Sequence, residues 1–246
     1  CKMREMKHSK KLAFAVLAAI AAVGATVAPV NAASVVNDAT NVITGTNNAV
    51  AYGSGNTIKE ADVNFRDRDY ENEPDDATLK TGDWKSNSIA IGVNNTVAGS
   101  SALAIGNSSQ ALMNETISIG HAAQAPRTWA TAIGTRANAS EVRAQAVGYE
   151  ALASGYKSNA IGSGAQATNN HAVAMGSSAI ASGDHAQAFG AGAQATMLRS
   201  NAFGSDAHAT ADYAMAIGDH ASATHLNSVA LGQKSTTSEA TAQTSA

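Results

Sequence analysis

The chain has 246 residues, of which 44% are hydrophobic but only 4% aromatic, so it cannot fill a thick conventional core; chain entropy is normally offset by burying larger side chains than alanine. Its one cysteine, Cys1, excludes a disulfide scaffold. A formal net charge of −3 argues against general nucleic-acid binding.

The N-terminus reads as a targeting segment. Lys7, Lys10 and Lys11 form a positive region, Leu12 to Ala28 an apolar run, and Val30-Asn31-Ala32 a small-x-small cleavage site. Residues 1–32 are therefore expected to be a signal peptide, cleaved after about Ala32. They carry Lys2, Arg4, Lys7, Lys10 and Lys11 against Glu5, so the remainder moves from −3 to −7. An exported chain without cysteine must be held by stacked backbone hydrogen bonds or by oligomerisation.

Residues 33–58 are expected to form the first coil or coils of a repeat. Asn48 to Ile58 parallels Asn87 to Val97, and the glycines Gly53 and Gly92 are 39 residues apart, one 14-residue period plus 25. Residues 59–86 are then an insertion. It holds Glu60, Asp62, Asp67, Asp69 and Glu71 among its acids, and Phe65, Tyr70 and Trp84 from a scarce class. Exposed aromatics with charge suit a binding loop, but a plain solvated loop, or a cap packing its aromatics over the solenoid end, is the favoured reading. The Asp67-x-Asp69-x-Glu71 spacing is a poor calcium loop, since its glycine is absent and Arg66 and Arg68 intervene.

Residues 87–237 are dominated by one pattern: small residue, apolar residue, glycine. The glycines Gly92, Gly106, Gly120, Gly134 and Gly148 begin a register that continues every 14 residues to Gly232. An unbroken period means a solenoid, one coil per repeat. Within a coil, alternation marks two short strands of about five residues. One turn lies at the glycine, where permissive backbone angles are needed. The other lies where Gly99, Gly155 and Gly183 stand. Fourteen residues are too few for a wide three-sided coil, so a flat two-layered one is expected. Small residues such as Ala90, Ala104, Ala137 and Ala139 should line its interior. The ladder before each glycine, Ile91 to Leu231, needs burial, and as a continuous apolar stripe it suits self-association.

Asn87-Ser88-Ile89-Ala90-Ile91-Gly92 and Asn227-Ser228-Val229-Ala230-Leu231-Gly232 resemble the head repeat of the YadA-like trimeric autotransporter adhesins. The resemblance implies an all-β, left-handed parallel β-roll of 14-residue coils in a parallel homotrimer on a Gram-negative outer membrane. It also implies adhesion to host extracellular matrix, such as collagen, or to other cells, and points to Asn87, Ser88, Asn227 and Ser228 as exposed contacts. No neck, stalk or membrane-anchor pattern follows Gly232, so residues 238–246 read as a tail truncated before those parts.

Residues 14 apart should lie side by side. Arg143, Lys157, His171, His185 and Arg199 then form a basic column across five coils. Stacked like charges repel, so solvent, acids of neighbouring chains or an anionic ligand must offset the cost. If the column binds an anion, its histidines should strengthen binding as pH falls through about 6.5. Trp129 and Tyr213 share the same repeat position.

Chemistry is otherwise sparse. His121, His208, His220 and His225 fall at different repeat positions, giving no convergent zinc site. Asp184-His185 and Asp219-His220 lack a nucleophile in a strained elbow, and the repeated glycine opens no helix, so no phosphate loop forms. No cofactor, metal or catalytic residue is expected. The leading reading is an adhesin head that works by multivalency; a structural spacer without a ligand site is the alternative. An ice-binding solenoid and a glycan lyase fit less well, for want of regular threonine ladders and of a cleft.

Overall fold

The computed structural model describes residues 35–36, 38–43, 49–59 and 88–238. The segments expected to be a signal peptide, an acidic insertion beyond Lys59 and a tail, this last from residue 239, lie outside the described residues, as does Asn87. Among those described there are 25 short strands and no helix. They form two parallel sheets, one of 13 strands and one of 12, and each coil gives one strand to each sheet. The protein is a parallel β-solenoid of 14-residue coils.

The strands are shorter than the expected five residues. A typical coil has three, Gln145–Val147, in the first sheet and two, Leu152–Ala153, in the second. Only Val50–Ser54, Ile89–Val93 and Leu103–Asn107 reach five. The turn chemistry consumes the rest. From residue 130 onward each corner closes with a turn hydrogen bond, such as Ala137 N–H to the Gly134 carbonyl at 3.3 Å and Ala144 N–H to the Glu141 carbonyl at 3.1 Å.

Register follows the period. Ala132 lies beside Ala146, and Ala146 beside Ala160. The N-terminal coils join the same stack, with Gly53 beside Gly92 and Val35 beside Val50. Thirteen strands at the usual spacing give a stack roughly 60 Å long.

Inward positions are almost all alanine. Ala144, Ala146, Ala151 and Ala153 of one coil are all fully buried, and the same places recur along the stack. The methyl groups let the two sheets approach closely, and a well-packed interior leaves no space for a larger side chain.

Two backbone constraints shape the corners. Gly148 has φ 141°, and a Cβ there would sit on the Gly162 carbonyl oxygen of the next coil. Two and nine residues after each such glycine from Gly92 to Gly218 the chain enters the left-handed region. Ala122, Trp129, Arg136 and Arg143 have φ of 55°, 59°, 58° and 58°. A Cβ in that region costs about 1–2 kcal/mol per residue.

Gly148→Ala is expected to destabilise the stack by at least about 3 kcal/mol, combining overlap and strain. Ala122→Gly is expected to stabilise it by up to about 1 kcal/mol, because relief of left-handed strain exceeds the added chain entropy. Thermal unfolding followed by circular dichroism measures both.

Candidate binding surface

The outer side of the first sheet carries the ladder that precedes each glycine. It was expected to need burial, but it faces outward. Ile91, Ile133, Ile161 and Met175 are 37%, 36%, 37% and 38% exposed. Period-two alternation leaves no choice: the alanines between take the interior. Phe189 and Phe203 stack on this face with ring centroids 5.2 Å apart. Two residues earlier, Ile89, Leu103 and Ile117 widen the stripe at the N-terminal end, and Thr131, Gln145 and Asn159 narrow it further along.

The basic column forms one corner of the coil. Its members do not simply repel. The Arg143 guanidinium lies 4.7 Å from the Trp129 ring, and the Lys157 ammonium 4.7 Å from the Tyr156 ring. Tyr156 meets His171 edge-on at 5.7 Å, and His171 stacks on His185 at 4.6 Å. Arg199 lies 5.9 Å from the Tyr213 ring. Asp184 Oδ2 is 3.2 Å from His185 Nδ1. Aromatic faces thus take up part of the charge that the sequence left to solvent or a partner.

The Asn-Ser pair of the repeat motif has a local role. Asn227 is exposed at φ 56°, and asparagine is among the few residues that tolerate this region readily. Ser88 is fully buried and donates to the Gly99 carbonyl at 2.8 Å. This corrects its assignment as an exposed contact: it faces the interior and braces the corner. Ser228 is half-buried; its Oγ accepts the His225 N–H at 3.3 Å and lies 3.4 Å from Thr237 Oγ1.

The opposite corner carries exposed ion pairs. Arg136 bridges to Glu150 one coil on at 2.8 Å, which holds the Glu150 carboxyl below its ordinary value. Asp219 is likewise lowered, by hydrogen bonds from Gln233 and then His220. No group of three or more potential metal ligands forms among the described residues.

Comparison with family models decides the identity of the repeats. The YadA head domain repeat matches residues 85–109, 111–137, 128–151, 153–179, 167–193, 195–221 and 209–235. The chain belongs to the YadA head family. No curated protein gives a match. YadA head membership implies an adhesin-type function at a Gram-negative cell surface, and an adhesin repeat on a solenoid argues for binding rather than catalysis.

One feature of this YadA head was missed from the sequence. Asn41, Asn56 and Asn95 are buried and linked through the N-terminal coils. Asn56 N–H donates to Asn41 Oδ1 at 2.9 Å, and Asn95 N–H to Asn56 Oδ1 at 3.0 Å. Asn95 Nδ2 donates to the Ile91 and Gly106 carbonyls, both at 2.9 Å, and Ser109 N–H closes the ladder onto Asn95 Oδ1 at 2.9 Å. The signal was in the sequence: asparagine three residues after Gly53 and Gly92, where later coils hold alanine, apart from Ser109 and Ser235.

Asn95→Ala is expected to cost about 1–3 kcal/mol, since buried backbone groups lose their partners. Faster amide hydrogen exchange confined to the coils around residues 49–59 and 88–111 reads it. The lowered Glu150 and Asp219 contribute stability at neutral pH that is lost as pH falls through the carboxylate range. A Glu150→Gln, Asp219→Asn double variant is expected to show a flatter pH dependence of its unfolding temperature below pH 5.

Proposed function

We propose that this chain is the head of a trimeric surface adhesin. Three parallel copies pack through the outward apolar ladder of the first sheet and hold host matrix protein, such as collagen, or other cells. The observation that carries this reading is the ladder itself: a rod-length stripe of Ile, Val, Met and Phe on the outside of a chain whose interior is already filled by alanine. A contiguous apolar stripe of that extent marks an association surface. Family membership supports the trimer and the adhesive role. Residues 1–32 serve as a cleaved signal peptide that directs the chain to the outer membrane surface. Exposed side chains at the corners, Asn227 among them, meet the ligand. Many weak contacts along the rod and across three chains then combine into tight attachment.

Sedimentation of the purified chain is expected to give three times the chain mass. An Ile133→Asp, Ile161→Asp double variant is expected to sediment as a monomer with its β-sheet spectrum intact. A wild-type monomer would sink the trimeric reading. Attachment of the trimer, but not the monomeric variant, to collagen-coated surfaces tests the adhesive role.

A further inference from the structure

We propose that the corner column from Trp129 to Tyr213 is a binding track for a linear anionic polysaccharide. The two corners of each coil share one geometry, with a left-handed residue at the same place in the turn. In the five coils of the column, one corner fills that place with Arg136, Glu150, Gly164, Ser178 and Gly192, and its one cation, Arg136, is bridged to Glu150. The other fills it with Arg143, Lys157, His171, His185 and Arg199. In the Asn-Ser motif this same place is held by Asn227, a residue suited to positive φ. Long cationic side chains gain nothing from the backbone there. Their presence in five successive coils reflects what they contact, because strained positions persist where function selects them.

The arrangement specifies a ligand class. Successive side chains repeat at the strand spacing, about 4.8 Å, which is close to the rise of one sugar unit in an extended chain. Guanidinium groups recognise carboxylate or sulfate through their edges. Trp129 and Tyr213, 41% and 44% exposed, stand in the same column at its two ends; the neighbouring arginine lies over one face of each ring, and a sugar ring would stack on the other. The track is linear, evenly spaced, cationic in the middle and aromatic at both ends. An acidic peptide satisfies the cations but has no use for the terminal rings. The acidic neighbours are few: Asp184 beside His185, with Glu141 and Asp212 in adjacent corner positions.

This inference deepens the adhesin reading by naming a ligand for one face, and its test is separable from that of the trimer. Binding of the full chain to heparin, hyaluronate, neutral dextran and polyglutamate is measured by calorimetry, with sedimentation mass on the same samples. Heparin or hyaluronate is expected to bind with an affinity that falls as salt rises, and dextran not at all. An Arg143→Gln, Arg199→Gln double variant is expected to lose at least tenfold in affinity at unchanged mass. Trp129→Ala is expected to lose severalfold. The proposal is overturned if neither anionic polysaccharide binds, if the double variant binds as tightly as the original, or if dextran binds equally. It also fails if polyglutamate competes at equal affinity, which makes the partner an acidic protein. A changed mass in the double variant overturns it too, since the column then belongs to a contact between chains. A monomer that binds heparin through this column upholds it while the trimeric reading falls.

Discussion

Coils meet backbone to backbone at the glycine corner, and that contact governs the rest of the molecule. A Cβ at Gly134 or Gly148 would occupy the carbonyl oxygen of the glycine in the following coil. No other residue fits without separating the coils and lengthening every hydrogen bond between them. The 14-residue period is therefore enforced at one atom per coil. Neighbouring side chains are then held at the strand spacing all along the rod, inside and outside alike.

Close stacking also explains the composition. A coil of 14 residues encloses little more than four methyl groups, as at Ala144, Ala146, Ala151 and Ala153. Hydrophobic burial within a coil is modest, so cohesion comes from bonds to the coils on either side. Large apolar residues are displaced to the outer face, where one chain cannot cover them. The same logic that starves the interior of isoleucine and phenylalanine creates the stripe on which assembly depends.

The sequence displayed those features that repeat. Period, two-layered coil, parallel register and the grouping of Arg143 with Lys157, His171, His185 and Arg199 all follow from spacing, because spacing is what stacking preserves. Features fixed by direction were harder to read. The apolar ladder was legible as a stripe, but whether it faced in or out depended on which alternating set the alanines filled. Ser88 looked like an exposed motif residue, yet its hydroxyl turns inward to Gly99. The left-handed angles at Trp129 and Arg143 were invisible, since neither residue type announces positive φ. The asparagine ladder escaped notice because it occupies only the first coils and so has no period to betray it.

That ladder bears on how the chain finds its own alignment. Coils lined by alanine are nearly interchangeable, and a displacement by one whole repeat would preserve almost every bond between them. Asn56 and Asn95 break the degeneracy. Asn95 Nδ2 donates to Asn56 Oδ1 at 3.0 Å, a bond that needs an amide in both coils, whereas the other donors to these carbonyl oxygens are backbone N–H groups that every coil offers. Beside an alanine coil, Asn56 Oδ1 would lose its Nδ2 donor and Asn95 Nδ2 that acceptor. In an otherwise translationally symmetric rod, the Asn56–Asn95 pair acts as an origin mark from which the remaining coils are counted.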